Sequence, residues 1–278
     1  MKLTRSLLRG FEVLEALAEE GRPLGPARVA ERVGLDKATV SRLLATLSHA
    51  GYVTRDPTAG NYRITARVLR LSRAFLEQCD LRGIARPHLT RLRDEVGETV
   101  HLGQADGDQI AYIDKLETAR SVRLVSAIGQ TMPVTTTALG KAMLSALDEP
   151  DRSMIISALG LPARTARSLT DPQDLIDDLD RTARRGYAID QEENEDGVIC
   201  VAVPVKDGDG RLVAAISISG PDFRVGPEVD RLGTACRDAA EAIARDLPAG
   251  VVAQVGFGRI AQNDASPTQL GTYGEENE

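Results

Sequence analysis

A run of small, hydroxylic and basic residues between positions 37 and 49 has the composition of a surface that contacts nucleic acid. Apolar residues recur within it at helical spacing: Val40, Leu43, Leu44 and Leu47. This period predicts a helix that buries one face and turns the polar residues outward. Small side chains let such a helix approach the DNA major groove, where hydroxyl and guanidinium groups reach base edges and phosphates. We predict as DNA contacts Lys37, Ala38, Thr39, Ser41 and Arg42.

The residues before this helix predict the elements that hold it. Val29, Ala30 and Val33 form a short apolar face, Gly34 permits a tight corner, and Asp36 stands where an N-cap accepts backbone amides. A further amphipathic helix over residues 6–20 is expected to pack beneath the corner through the following side chains: Leu7, Phe11, Leu14 and Leu17. Two helices around a corner favour a helix-turn-helix. An ordinary helical hairpin inside a larger domain is the alternative.

A hairpin follows the predicted recognition helix. Residues 51–55 and 61–64 have strand character, and residues 56–60 are dense in turn formers. Three helices followed by such a wing predict a winged helix-turn-helix, with Arg55 and Arg63 placed to contact the sugar-phosphate backbone. The alternative for each arginine is a solvated hairpin edge.

Charge divides the chain into two parts. The net charge is −7, but the first 80 residues carry 13 Lys and Arg against 9 Asp and Glu, a net +4, and the rest carries −11. Attraction to phosphate depends on the local patch, so the N-terminal part is the one suited to DNA. The three widely spaced cysteines favour neither disulfides nor a zinc ribbon. No continuous apolar run predicts a signal peptide or membrane span, and we expect a cytoplasmic protein.

A helix predicted over residues 66–79, capped by Thr65, is too apolar for a solvated connection. Its apolar residues are Val68, Leu69, Leu71, Phe75 and Leu76. The same helix of a second subunit is the simplest partner, and such pairing would place two recognition helices on a two-fold axis. We therefore expect a dimer on a palindromic site.

From residue 81 the pattern alternates between helix and strand. We expect helices over residues 87–96, 141–147, 175–185 and 227–247, and strands over residues 99–103, 109–116, 122–128, 198–205 and 212–219. Antiparallel strands with helices on one side predict an α+β sensor domain. The hydroxyl-rich loop over residues 129–140 leads into a helix N-terminus, which attracts anions. It lacks the glycine and the Ser or Thr of a phosphate-binding P-loop.

Alternation along the last strand puts Ser217 and Ser219 on one face, where Cys200 of a neighbouring strand could join them. These weak donors suit a bound carboxylate or hydroxyl. The alternatives are serines facing solvent beside a structural cysteine, or an enzyme with Cys200 as nucleophile and His101 as base. The turn over residues 207–211 lacks the glutamate of a calcium loop, so we expect no metal or cofactor. Polar residues dominate the segment 248–278, for which we predict a mobile tail.

Five blocks of sequence together resemble the IclR family of bacterial transcriptional regulators. They are Gly34-Leu35-Asp36-Lys37-Ala38-Thr39-Val40-Ser41-Arg42-Leu43-Leu44, Gly97-Glu98-Thr99-Val100-His101-Leu102, Ala138-Leu139-Gly140-Lys141-Ala142, Gly186-Tyr187-Ala188-Ile189-Asp190-Gln191-Glu192-Glu193 and Ile216-Ser217-Ile218-Ser219-Gly220-Pro221. The resemblance implies a winged helix-turn-helix domain (1–64), a linker helix (65–80) and a GAF-like α/β effector-binding domain (81–247), assembled as dimers or dimers of dimers. It implies as effector contacts Leu124, Met132, Ala138, Leu139, Asp190, Cys200, Ser217 and Ser219.

One departure from the family pattern concerns the pocket. The family often has histidine after the loop proline and a small residue before Gly-Lys, where this chain has Val134-Thr135 and Leu139. The bulkier leucine is expected to shrink or reshape the pocket. The hypothesis is a ligand-responsive regulator, more repressor than activator, of a catabolic operon, with a small organic acid or aromatic effector. The alternative is an enzyme or sensor whose N-terminal domain only pairs subunits.

Overall fold

The computed structural model describes residues 3–78, 81–248, 256 and 257. It divides into two compact units, residues 1–78 and 79–278. The described part of the first unit contains, in chain order, α1 (Arg5–Glu20), α2 (Pro26–Val33), α3 (Lys37–His49), β1 (Val53–Arg55), β2 (Tyr62–Ile64) and α4 (Val68–Gln78). Three helices and an antiparallel hairpin make a winged helix-turn-helix, as predicted.

The core of the first unit lies where α1, α2 and α3 meet the wing. Val29, Val40 and Leu44 are buried at its centre, and Tyr62 closes it from the wing. The prediction for α1 is wrong in its first half. Leu7 and Phe11 are exposed, and the helix buries instead Val13, Ala16 and Leu17. Only the C-terminal half of α1 reaches the described core, so Leu7 and Phe11 lie outside it.

The second unit is built on one sheet. Its described elements are α5 (Leu81–Val96), β3 (Thr99–Asp106), β4 (Gln109–Leu116), β5 (Thr131–Pro133), α6 (Ala138–Ser145), α7 (Glu149–Ala158), α8 (Pro172–Arg185), β6 (Ala188–Gln191), β7 (Val198–Lys206), β8 (Leu212–Pro221), α9 (Asp222–Val225), a 3-10 turn (Gly226–Glu228) and α10 (Val229–Asp246). The strands form an antiparallel sheet in the order β5-β4-β3-β8-β7-β6.

Helices cover both faces of this sheet, which corrects the expectation of helices on one side. α5 and α10 pack on one face, where Cys236 of α10 lies 3.6 Å from the carbonyl oxygen of Ile216. α6 packs on the opposite face, against the centre of the sheet. Register places Cys200 opposite Ser219 and Ala202 opposite Ser217 on the α6 side. Ser217 and Ser219 are buried, so they do not face solvent.

The strand predicted over residues 122–128 is absent from the described structure. β5 occupies the edge of β4 instead, and Val122, Val125 and Ile128 are exposed. Side chains anchor this loop in place of a strand ladder: Lys115 Nζ donates to the Ser126 carbonyl at 2.6 Å and Arg224 to the Val122 carbonyl at 3.0 Å. The spacing of apolar residues could not show that this edge of β4 pairs with β5.

Two boundaries also differ from the predictions. α5 begins at Leu81, ahead of the internal Pro87, and its Arg86 donates to the fully buried Asp114 of β4 at 2.7 Å. This ion pair holds the added first turns of α5 against the sheet.

The predicted tail over residues 248–278 lies almost entirely outside the described residues. Of its described members, Gly256 hydrogen-bonds the backbone at the end of β3, and Phe257 is buried in the core.

Candidate functional sites

The first candidate site is the outward face of α3. Asp36 caps the helix, its Oδ1 accepting the Thr39 amide at 2.8 Å, and this hydrogen bond lowers the pKa of Asp36. The cap and the αL conformation of Gly34 set where α3 begins and how it leaves α2. The outward face therefore belongs to a helix whose start is well defined.

The predicted DNA contacts lie on this face. Lys37, Ala38 and Arg42 are exposed, and Thr39 and Ser41 are half-buried. Arg42 donates through Nη2 to the Thr39 hydroxyl at 3.2 Å. This contact orients the guanidinium along the helix surface, where it remains open to a ligand. No acidic residue follows Asp36 within α3, so nothing on the helix itself repels phosphate.

The wing presents its two arginines differently. Thr54 pairs with Arg63 and Arg55 pairs with Tyr62, so the two arginines occupy adjacent register positions and leave opposite faces of the hairpin. Arg55 folds back on the wing, its guanidinium 5.8 Å from the centre of the Tyr62 ring. Arg63 is exposed. Both arginines are thus exposed, on opposite faces of the wing.

The second candidate site is a cleft between the sheet and the N-terminus of α6, with about 490 Å³ of empty space, its open mouth included. All eight residues predicted as effector contacts line it: Leu124, Met132, Ala138, Leu139, Asp190, Cys200, Ser217 and Ser219. Neighbouring strands β6, β7 and β8 supply the last four, because alternate residues of a sheet share a face. Residues distant in sequence thus meet at one surface.

Other lining residues were not predicted as effector contacts. They are His101, Tyr112, Val125, Ser126, Thr137, Asn194, Glu195 and Val198. His101 falls in one of the blocks that carry the family resemblance, so the sequence could have indicated it as a cleft residue. Tyr112 and Asn194 gave none, because their place depends on strand register and on the loop after β6.

His101 is held as a neutral ring. Its Nε2 lies 2.8 Å from the Ser126 hydroxyl, and the ring stacks on Tyr112 with centres 4.6 Å apart. Burial, and then the neighbouring Lys115 ammonium, lower the pKa of His101 to about 3. At neutral pH this histidine therefore offers the cleft one N–H donor and one acceptor and no charge.

Cys200 lies in the same cleft as His101, but the surroundings oppose a nucleophilic thiolate. Burial, and then the nearby Asp190 carboxylate, raise the pKa of the Cys200 thiol. A nucleophilic cysteine requires the opposite, a lowered pKa beside a cation or a base. Within the described residues, no group of three or more His, Cys, Asp and Glu side chains could hold a metal ion.

Behind the cleft lies a buried charge cluster. Lys141 of α6 is fully buried, and its ammonium lies 2.5 Å from Glu193 and 2.9 Å from Asp178. Asp190 Oδ1 accepts the Glu193 amide at 2.8 Å, which ties β6 to the loop that follows. Burial, reinforced by the Glu193 carboxylate, raises the pKa of Asp190 to about 7. Asp190 is thus the lining group that titrates near neutrality.

The start of α6 brings backbone amides to the cleft. Thr137 caps the helix by accepting the Gly140 amide at 3.2 Å. The first-turn amides of Ala138 and Leu139 have no carbonyl partner within the helix, as at any helix N-terminus. Both residues line the cleft. They form a place where an anion could be held by backbone donors.

Among the described helices, none is both long enough and apolar enough to cross a lipid bilayer.

Comparison with known proteins identifies both units. The IclR helix-turn-helix domain model matches residues 6–57, and the model of the C-terminal domain of bacterial transcriptional regulator IclR matches residues 73–245. The HTH-type transcriptional regulator KdgR of Escherichia coli K12 is 35% identical over 223 residues, covering 80% of this chain and 84% of that protein. The acetate operon repressor of Salmonella typhimurium is 34% identical over 242 residues, covering 86% and 88%.

Solved structures agree with this assignment. The crystal structure of IclR from Thermotoga maritima is 30% identical, with a TM-score of 0.67 over 87% of this chain and 98% of that chain. An IclR homologue from Microbacterium hydrocarbonoxydans, complexed with 4-hydroxybenzoate, has the same fold at 24% identity, with a TM-score of 0.72 over 87% and 98%. These relatives are regulators, so the enzyme interpretation of Cys200 and His101 is wrong. The chain belongs to the IclR family of bacterial DNA-binding transcriptional regulators.

Proposed function

We propose that this protein is a ligand-responsive repressor that acts in the cytoplasm, reads a palindromic operator and controls a catabolic operon. The observation that carries the proposal is the exposed, acid-free face of α3, with Lys37 and Arg42 open to a ligand. The names of curated relatives, which include an operon repressor, support the direction of control. Residues 1–64 are assigned to operator binding, 65–80 to the linker and 81–247 to effector binding.

A dimer is part of the proposal. In the N-terminal unit, α1 exposes Leu7 and Phe11, and α4 exposes Leu69 and Leu71 by 64% and 56%. Exposed apolar residues in such number mark an interaction surface more often than a solvated one. The same faces of a second subunit would cover them and bring two α3 helices to one operator. Analytical ultracentrifugation at micromolar concentration tests this, and a monomer would contradict it.

The proposed effector is a small carboxylic acid held in the cleft. The first-turn amides of α6 supply donors for its carboxylate, and Ser217 and Ser219 supply hydroxyls. Leu139 occupies space that the family often leaves to a small residue, which favours a short effector over an extended one. Binding would have to favour one of two arrangements of the protein, because a ligand shifts only states that it binds unequally.

The experiment that tests operator recognition is a gel shift with the DNA upstream of the gene and with random DNA, at two salt concentrations. Affinity is expected to fall with salt, because bound phosphates release counterions. Arg42→Ala is expected to cost about 1–3 kcal/mol of operator binding and to reduce discrimination against random DNA if the side chain reaches a base, as the proposal requires. Arg22→Ala, at an exposed arginine outside α3, is the matched control.

Two outcomes decide this prediction. If Arg42→Ala discriminates between operator and random DNA as well as the wild type does, Arg42 does not read a base. No salt-dependent binding by the wild type would favour a sensor whose N-terminal unit only pairs subunits.

The double variant Ser217→Ala with Ser219→Ala is expected to weaken the response of operator binding to small carboxylic acids by about fivefold or more, because two hydrogen bonds to the acid are lost at about 0.5–1.5 kcal/mol each. Operator affinity without acid is expected to stay at the wild-type value, since both serines lie in the C-terminal unit. Gel shifts titrated with acid measure both quantities. An unchanged acid response would rule out the two hydroxyls as effector contacts.

A further inference from the structure

The cleft has an unusual charge balance for a site that takes an acid. Its described lining carries two carboxylates, Asp190 and Glu195, and neither lysine nor arginine. Asp190 is 2% exposed, whereas Glu195 is exposed. An acid bound as its anion would therefore bring a further carboxylate into poorly solvated space beside Asp190. Two such carboxylates in contact cannot both stay ionised without a large energetic cost.

The cations near the cleft do not remove this cost. Arg164, which lies close enough to Tyr112 to favour its ionised form, is exposed and donates to the Asn194 carbonyl at 3.1 Å, so solvent and salt screen its charge. Lys141 is bound by Glu193 and Asp178 behind the cleft, at 2.5 and 2.9 Å. Lys115 donates to the Ser126 carbonyl at 2.6 Å and to Glu117 at 2.7 Å, and its side chain is 7% exposed. Each ammonium thus already contacts two acceptors, and each lysine side chain is 7% exposed or less. The first-turn amides of α6 supply partial positive charge only.

We propose that a small carboxylic acid enters this cleft together with one proton, which its carboxylate shares with Asp190. The inference rests on the proposed function, because it concerns the acid assigned to that site. One O–H···O hydrogen bond forms between the two carboxyl groups, and no covalent bond changes apart from the O–H bond of the added proton. The solvent supplies that proton.

The groups that face Asp190 fit this arrangement. Glu193 of the following loop disfavours the ionised form of Asp190, whereas Lys141 of α6 and the backbone amides of Glu193 and Asn194 favour it. Cys200 of β7 is a neutral thiol, because its pKa is raised by burial. His101 of β3 is neutral, and Tyr112 of β4 is a phenol whose pKa is raised by burial, so neither supplies charge. Burial dominates, and with Glu193 it raises the pKa of Asp190 to about 7. A bound anion raises it further.

The sign of the pH dependence follows directly. An acid that binds with a proton binds best below the pKa of free Asp190 and loses affinity as pH rises through it. For one proton and a pKa of about 7, affinity is expected to fall about 30-fold between pH 6 and pH 8.5. An acid bound as a simple anion, with no proton taken up, would show a flat profile over this range.

Isothermal titration calorimetry of the full chain tests the proposal with acetate, propionate, lactate and benzoate, at pH 6 and pH 8.5. Repeating each titration in buffers of different ionisation enthalpy counts the protons taken up. We expect close to one proton at pH 8.5 for any acid that binds, and none for the corresponding amide, such as lactamide. Zero protons taken up at pH 8.5, or no binding by any of the four acids at pH 6, would overturn the inference.

A pair of variants identifies the group that takes the proton. In Asp190→Asn the amide oxygen can still accept the Glu193 amide, so the loop is expected to hold. This variant should bind acid with a flat pH profile and more tightly than the wild type at pH 8.5. Glu195→Gln removes the other lining carboxylate and should keep the 30-fold dependence. If the pH dependence of acid binding is lost in Glu195→Gln but kept in Asp190→Asn, the assignment of the proton to Asp190 is wrong.

Two readouts separate failure of this inference from failure of the proposed function. If Asp190→Asn does not fold, as judged by circular dichroism, the wild-type proton count decides alone. Operator binding without acid, measured by gel shift, is expected not to depend on Asp190, because this residue lies in the C-terminal unit. A regulator that binds its operator and takes no proton with an acid therefore contradicts only the shared proton.

Discussion

Replacing Lys141 with methionine is expected to destabilise the C-terminal unit by about 3–5 kcal/mol. The ammonium is fully buried between Glu193 and Asp178. Its removal leaves Glu193 in a poorly solvated place without its ion-pair partner and leaves Asp178 with the partly exposed Arg181 at 3.3 Å. Methionine keeps most of the aliphatic stem, so the loss arises from charge more than from an empty volume. Such a loss is a large fraction of the stability of a typical domain.

Urea denaturation followed by circular dichroism, with hydrogen exchange of β7 amides to report on the C-terminal unit alone, measures this effect. Lys206→Met is the matched control, because Lys206 is exposed at the end of β7. It is expected to change stability by less than about 0.5 kcal/mol. Equal effects of the two substitutions would show that the buried ion cluster contributes no more than a surface lysine.

Gly140→Ala is expected to cost about 3 kcal/mol or more, because it overpacks a contact between two backbones. A Cβ at this position would lie 2.0 Å from the carbonyl oxygen of Val134 and 2.6 Å from its carbonyl carbon. Backbone on the other side of the contact cannot swing aside as a flexible side chain could. α6 would have to move away from the loop, and its first turn lines the cleft.

The expected result has two parts, lower stability in urea and loss of acid binding by the protein that remains folded. Gly160→Ala is the control, since a Cβ there meets no atom within 4 Å. It should leave both quantities near wild type. A Gly140→Ala protein with normal stability and normal acid affinity would mean that α6 does not need its close contact with Val134.

Local pattern was sufficient to predict the DNA-binding unit. The corner at Gly34, the cap at Asp36 and the apolar period of α3 are all local features, and the structure has each of them. α1 is the exception. Its apolar residues Leu7 and Phe11 have the right spacing for a core face, yet the core does not reach them. The spacing of apolar residues predicts a helix and its apolar face. It does not predict how much of that face is covered by the neighbouring helices.

Strand alternation predicted only Ser217, Ser219 and Cys200 of the effector cleft, and the family resemblance supplied the rest. Nothing local connects Met132, Asp190 and Ser219, and the structure brings them together because β4, β6 and β8 belong to one sheet. Residues without a matching motif, such as Tyr112 and Asn194, were missed for the same reason. The wrong strand over residues 122–128 has a related cause, since a strand exists only where a neighbour offers a free edge.

The sequence by itself determined the nature of the two parts: a cationic winged helix-turn-helix and an anionic α+β domain, because helical period, caps, turns and charge are properties of short segments. Only the tertiary structure decided which polar groups share a surface and what their charges are. Asp190 has its pKa near neutrality and Lys141 is enclosed by two carboxylates because burial and neighbours from distant segments set the local dielectric and field. Electrostatics of this kind depend on distances in space, which no local pattern contains.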